Sequence, residues 1–157
     1  MRASERLTQL GLTLPDVVPP VASYVPAVVC DQLVFTAGQL PMADGQLMAT
    51  GKVGAQVSVE TAVACARQCA LNALAAAVSV AGDIDKLKQV VKVVGFVASD
   101  PGFSDQPTVI NGASDLLAEI LGDAGVHARS AVGVAVLPKD APVEIEMIVK
   151  LTGTFGR

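Results

Sequence analysis

A chain of 157 residues, 52% hydrophobic and only 17% charged, is long enough for one domain with a real core and short for two. Its net charge of −4 and pI near 4.8 argue against nucleic acid as a partner, which wants clustered Lys and Arg. No stretch reaches the roughly 18 uninterrupted apolar residues of a membrane span. With a mean hydropathy of +0.54 and so little charge, a large apolar surface is predicted to be buried between subunits.

Residues 1–20 read as an N-terminal extension to a domain over 21–157. Ser4 is placed to cap a short helix through Leu10, Gly11 to end it, and the Pro15–Pro20 segment to run extended. Glu5 and Arg6 stand where a signal peptide would be apolar, which predicts a cytoplasmic protein. Short strands follow near 24–30 and 32–37, parted by Asp31, the first demoted to an edge or bulge by Pro26. Asp44-Gly45 is a hairpin-type dipeptide. Ser58 caps a helix over 59–81 whose Val63, Ala66, Ala70, Leu74 and Val78 share a face, and Gly82 stops it.

"LKQVVKVVGFVAS" is too rich in valine for an exposed helix and predicts a strand at 87–98. "SDPGFSDQP" is a loop into a second helix at 107–121, with Pro107 near its first turn. The segment 127–151 closes the chain as a hairpin around "LPKDAP". Strands with helices packed on one face give an α+β sandwich.

Three cysteines, one histidine (His127) and no CxxC pair predict neither a disulfide framework nor a metal site. Cys30 falls in a strand, Cys65 and Cys69 lie four apart on a helix, and buried free thiols are the plain reading.

The chemistry-bearing residues gather late in the chain. Along "RSAVGVAVL", alternation puts Ser130, Val132, Val134 and Val136 on a core face and Arg129, Ala131, Gly133 and Ala135 on a nearly bare one. Along "VEIEMIVKL" it puts Val143, Ile145, Met147, Val149 and Leu151 in the core, with Glu144 and Glu146 opposite. Arg129 can offer a planar fork to a carboxylate, or pair with a local acid at a strand end. Glu144 can orient a water or move a proton, or stand solvated. Asn111-Gly112 is odd within a helix, either a functional amide beside a close-approach glycine or a frayed start. Tyr24, the single tyrosine, covers a pocket or fills the core. In a tight hairpin Arg129 sits opposite Leu151, about seven residues or ~23 Å from Glu144 at ~3.3 Å per residue. On that register the two meet only across a subunit boundary.

"ARSAVGVAVLPKDAPVEIE" resembles the C-terminal signature of the Rid family, the reactive-intermediate deaminases also called YjgF-type proteins. "LVFTAGQLP" and the "VIN" ending at Asn111 resemble two further segments of it, and the likeness spans about residues 22–151. The resemblance implies a chorismate-mutase-like α+β fold, a mixed sheet with two helices on one face, and a homotrimer with pockets between subunits. It implies hydrolysis of imines and enamines of amino acids to 2-oxo acids and ammonia, without metal or cofactor. Carried over, Arg129 holds the substrate carboxylate and Glu144 the attacking water. Gly38 and Ala131 supply backbone contacts, while Tyr24 and Asn111 line the pocket. The sequence departs from the pattern at Ala131, at Ala37, at Ser114 where many members carry an aromatic, in the 99–107 loop and in residues 1–20. The competing expectation is a non-catalytic trimer that binds a small carboxylate. An endoribonuclease, a name some members carry, sits poorly with an acidic chain that lacks an aromatic-basic strip.

Overall fold

The computed structural model describes residues 1–20 and 22–153. Its longest helix begins and ends where the sequence places its caps. The Ser58 hydroxyl accepts from the Thr61 N–H at 3.1 Å, and Gly82, at φ 87°, closes helix α2 (Val59–Ala81). Earlier elements are helix α1 (Ala3–Gln9), strands β1 (Ala27–Cys30) and β2 (Leu33–Thr36), and a small ribbon, β3 (Met42–Ala43) with β4 (Gln46–Leu47). Asp44 and Gly45, at φ 53° and 78°, make the ribbon's turn, where two left-handed residues match the twist of the strands. Strand β5 (Leu87–Ala98), helix α3 (Gln106–Leu121), and strands β6 (Ala128–Val134) and β7 (Val143–Leu151) complete the chain.

The five-stranded sheet has the order β1-β2-β7-β5-β6; only β5 and β6 run parallel. It is a mixed sheet, and α2 and α3 pack over one face of it. Val143, Ile145, Met147, Val149 and Leu151 are all buried on that face, as the alternation of the segment requires.

The expected terminal hairpin does not form. β5 lies between β6 and β7, pairing Val93 with both Arg129 and Met147, and Phe96 with both Val132 and Glu144. A long valine-rich strand has two edges to satisfy. The α3 crossover returns the chain parallel to β5, and the 135–142 connection then carries it around the end of β5 to the other edge. Lys139 and Asp140, at φ 58° and 57°, bend that connection.

The face assignment in β6 is also reversed. Val132 is 44% and Val136, beyond the strand, 63% exposed, whereas Ala131 packs against the core and Arg129 bonds to α3. α3 can lie this close to β6 only over small side chains, so the valines are left on the open side. On an edge strand β-branched residues serve strand formation as readily as burial.

Ser4 does not cap α1, whose N-cap is Arg2. Ser4 instead donates through N–H and hydroxyl to the Asp85 carboxylate, at 2.9 and 2.6 Å. Those two bonds hold the Asp85 carboxyl below its usual range. Leu7 is buried in the main core, so α1 is packed onto the domain. Cys65 and Cys69 are buried free thiols as expected, while Cys30 is exposed. Burial pushes Cys65 up to about 11 and Cys69 well above its ordinary value, so neither is a ready nucleophile.

Residues 69–77 of α2 are buried all round, including five alanines that allow close approach by the sheet and α3. α2 is long and apolar enough to cross a membrane, but most of it is buried inside this fold. The Asn111-Gly112 pair is explained in part here: a Cβ on Gly112 would strike the Val63 backbone carbonyl of α2. Gly112→Ala should therefore destabilise the fold by ~1–3 kcal/mol, the scale of an overpacked core. The measurement is urea unfolding; an unchanged midpoint would mean the helices can part freely.

Candidate active site

Two recesses hold the residues singled out in the sequence, and each takes a different share. Arg129 leaves β6 on the helix side and reaches the N-terminal half of α3. Its Nη1 donates to Asn111 Oδ1 at 2.8 Å and to Ser114 Oγ at 3.2 Å, and its Nη2 to the Pro107 carbonyl at 3.3 Å. All three acceptors are neutral, and no carboxylate pairs with Arg129 among the described residues. The strand-end ion pair weighed for this arginine is thus not what the fold makes. A guanidinium carries five N–H donors; with three engaged, two remain on a cation with its charge uncompensated. Asn111, Ser114, His127 and Arg129 line a recess of about 290 Å³. Ala131 lies two residues along β6, its side chain on the core.

Glu144 leaves β7 on the opposite face. It borders a larger cleft of about 940 Å³ together with Gly38, Tyr24, Asn72, Lys139 and the 13–20 segment. Gln39 and Ile145 exchange backbone hydrogen bonds of 2.7 and 3.0 Å, which brings the 37–39 segment alongside β7. A Cβ on Gly38 would lie 2.5 Å from Glu144 Oε1, so only glycine leaves the carboxylate its place. Asn72 of α2 fixes the next stretch, donating to the carbonyls of Leu40 and Met42 at 3.0 Å each. Burial first, and the Glu146 carboxylate second, raise the Glu144 pKa above its ordinary value.

Arg129 and Glu144 do not meet within the chain. Arg129 aligns through Val93 with Met147 on the helix face, and Glu144 aligns through Phe96 with Val132 on the open face. Two strand spacings across and three residues along put their Cα atoms roughly 14 Å apart, with side chains on opposite faces of the sheet. That is shorter than the separation expected for a hairpin, yet the opposed faces forbid contact more firmly than distance would. The chain therefore presents two half-sites: Arg129 with Asn111, and Glu144 with Gly38 and Tyr24.

Sequence reasoning missed two features. Ser114 and His127, thirteen residues apart, are joined by a hydrogen bond of 2.9 Å beside Arg129, and no spacing rule links a helix serine to a histidine before the next strand. The 13–20 segment forms one wall of the Glu144 cleft; its prolines showed an extended path but not where it would lie.

Residues 4–151 match the family described as "YjgF/chorismate_mutase-like, putative endoribonuclease". The chain is 42% identical over 151 residues to Protein TCP17 of Trypanosoma cruzi, covering 96% of this chain and 94% of that one. It is 47% identical to Atu1372 of Agrobacterium tumefaciens, a protein described as of unknown function, with TM-score 0.88 and coverage of 95% and 92%. To E. coli TdcF, solved with bound serine, it is 29% identical with TM-score 0.61, covering 88% and 93%. By its fold and by these likenesses, the chain belongs to the YjgF/Rid family.

Proposed function

We propose that the protein hydrolyses small enamine and imine carboxylates, such as 2-aminoacrylate, to 2-oxo acids and ammonia at clefts between subunits of a homotrimer. The carrying observation is Arg129, a cation held in place by three neutral acceptors with donors to spare. Glu144, its pKa raised by burial and its carboxylate set against the Gly38 backbone, suits the water-activating partner. An activated C=N bond asks for a placed water and a proton route more than for a strong nucleophile. TdcF, with its bound serine, offers a relative that holds an amino acid.

The trimer is supported by the open face of the sheet. Val28, Phe35 and Val132 are 56%, 40% and 44% exposed there, beside Ile148 and Phe96, with no helix over them among the described residues. Because β6 is an edge strand, subunits that meet over that face and across this edge can bring one chain's Arg129 to another's Glu144. Small carboxylates and further copies of the chain are then its partners; the net charge of −4 speaks against nucleic acid. Cytoplasmic placement fits the three free cysteines.

The test is ammonia release from freshly generated 2-aminoacrylate, with Arg129→Ala as control. Release above the spontaneous rate, lost in the variant, supports the reading. A spontaneous rate in both, with carboxylate binding intact, leaves a carboxylate-binding protein without turnover. Light scattering showing a stable monomer at micromolar concentration would remove the shared cleft.

The pH profile gives a second check. A base works as the carboxylate, so activity should fall as pH drops through the raised Glu144 pKa. Glu146→Gln removes the second cause of that rise, and the acid limb should move to lower pH. The linkage has a definite sign. A carboxyl whose folded pKa is raised costs stability as pH climbs past its unfolded value, so Glu144→Gln should be no less stable than wild type at neutral pH. An acid limb unmoved in Glu146→Gln would detach it from Glu144.

A further inference from the structure

His127 Nδ1 lies 2.6 Å from the Gly125 carbonyl oxygen, an acceptor with no proton to give, so Nδ1 carries the hydrogen. Neutral His127 then turns a bare Nε2 toward Ser114 Oγ at 2.9 Å, and the serine hydroxyl donates to it. The same oxygen accepts from Arg129 Nη1 at 3.2 Å. A hydroxyl is thereby held between an imidazole base and a cation, with the imidazole oriented by a third group. Base, hydroxyl and orienter in this order form a proton-transfer arrangement. Ser114 donates to His127 and accepts from Arg129, whereas the usual use of a helix serine is to donate to a carbonyl of its own helix. Both residues line the recess in which Arg129 sits.

We infer that Ser114 and His127 form a proton relay for the Arg129 half-site, with Ser114 Oγ facing the departing nitrogen. The inference rests on the deaminase reading and deepens it, because Glu144 takes a proton from water and a second group must supply one to ammonia. In the protonated imine, water oxygen bonds to the C=N carbon, the π pair moves to nitrogen, and Glu144 of the facing subunit takes one water proton. Once Nε2 has taken a proton from solvent, His127 donates to Ser114 Oγ; the amino alcohol nitrogen takes the serine's own proton and His127 replaces it. The C–N bond breaks, ammonia leaves with its electron pair, and the new carbonyl loses its proton to water. Glu144 then discharges to solvent and His127 recharges from it.

The charged groups on the elements around His127 are Arg129 on β6, Asp123 in the 122–125 turn, Asp115 and Glu119 on α3, and Lys88 and Lys92 on β5. Glu119 accepts from Arg67 at 3.0 Å. Lys92 of β5 bonds to Ser130 on the other face.

The test compares wild type, Ser114→Ala and His127→Gln in steady-state ammonia release across pH, with calorimetric binding of benzoate measured alongside. The relay requires kcat to fall on the order of 100-fold in His127→Gln, within the usual range for a general acid, with KM and benzoate affinity retained. It also requires the pH profile of kcat to differ between wild type and that variant. Ser114→Ala should show the same loss of kcat. An active wild type with unchanged kcat in His127→Gln overturns the relay alone. Benzoate affinity falling in parallel with kcat also overturns it, leaving the pair as a positioning device for Arg129. A wild type that releases no ammonia overturns the deaminase reading and the relay with it.

Discussion

Replacing Arg129 by lysine should weaken binding of a small carboxylate by ~1–3 kcal/mol, about 5- to 150-fold, the scale of hydrogen bonds to a charged group. Charge is conserved in that exchange, so the loss must come from donors and shape. Asn111 Oδ1, Ser114 Oγ and the Pro107 carbonyl surround the guanidinium. An ammonium has three N–H donors, and an ammonium at this position would give all of them to those three acceptors. Arginine satisfies the same acceptors and keeps two donors for a ligand. Arg129→Ala should lose more, since the cation goes too. Calorimetry with a 2-oxo acid or benzoate measures both. Unchanged affinity in Arg129→Ala would reduce the residue to a tether between β6 and α3.

That tether marks where the sequence was legible and where it was not. α2 was readable to the residue because Ser58 and Gly82 are local signals, and a cap acts on its own helix whatever packs outside. β5 was readable because a valine-rich run states its own conformation. Pairing is different. Nothing in "LPKDAP" distinguishes a hairpin turn from a connection that carries the chain around a third strand, because that depends on what already occupies the edge. β5 occupied it, so β6 became parallel and its faces exchanged roles.

The candidate site shows the same division. Arg129 and Glu144 stood out as charges that a strand does not need. Their environments came from elsewhere: α3 for one, the Gly38 backbone for the other. Ser114 and His127 were invisible as a pair for this reason. His127 stood out only as the single histidine and Ser114 only as a departure from the pattern, and the α3–β6 packing alone joins them.

Mixing subunits should restore activity that neither parent has. Arg129→Ala chains lack the carboxylate half-site, and Glu144→Gln chains lack the base, so each alone should be inactive. The opposed faces of Arg129 and Glu144 within one sheet mean that a cleft holding both must draw them from two chains. In a ring of three, each cleft takes Arg129 from one subunit and Glu144 from the next. Every mixed trimer then contains one cleft of three in which both residues are intact. Random co-assembly at equal concentration makes about three quarters of the trimers mixed, so roughly one quarter of wild-type activity should return. β6 is an edge strand, and its free edge together with the open face of the sheet leaves the partner room to approach. Activity should appear only as exchange proceeds, and at the rate of exchange. If mixed trimers form, as mass spectrometry of differently labelled chains would show, and remain inactive, no cleft is shared. Arg129 and Glu144 would then serve separate purposes on the two faces of one sheet.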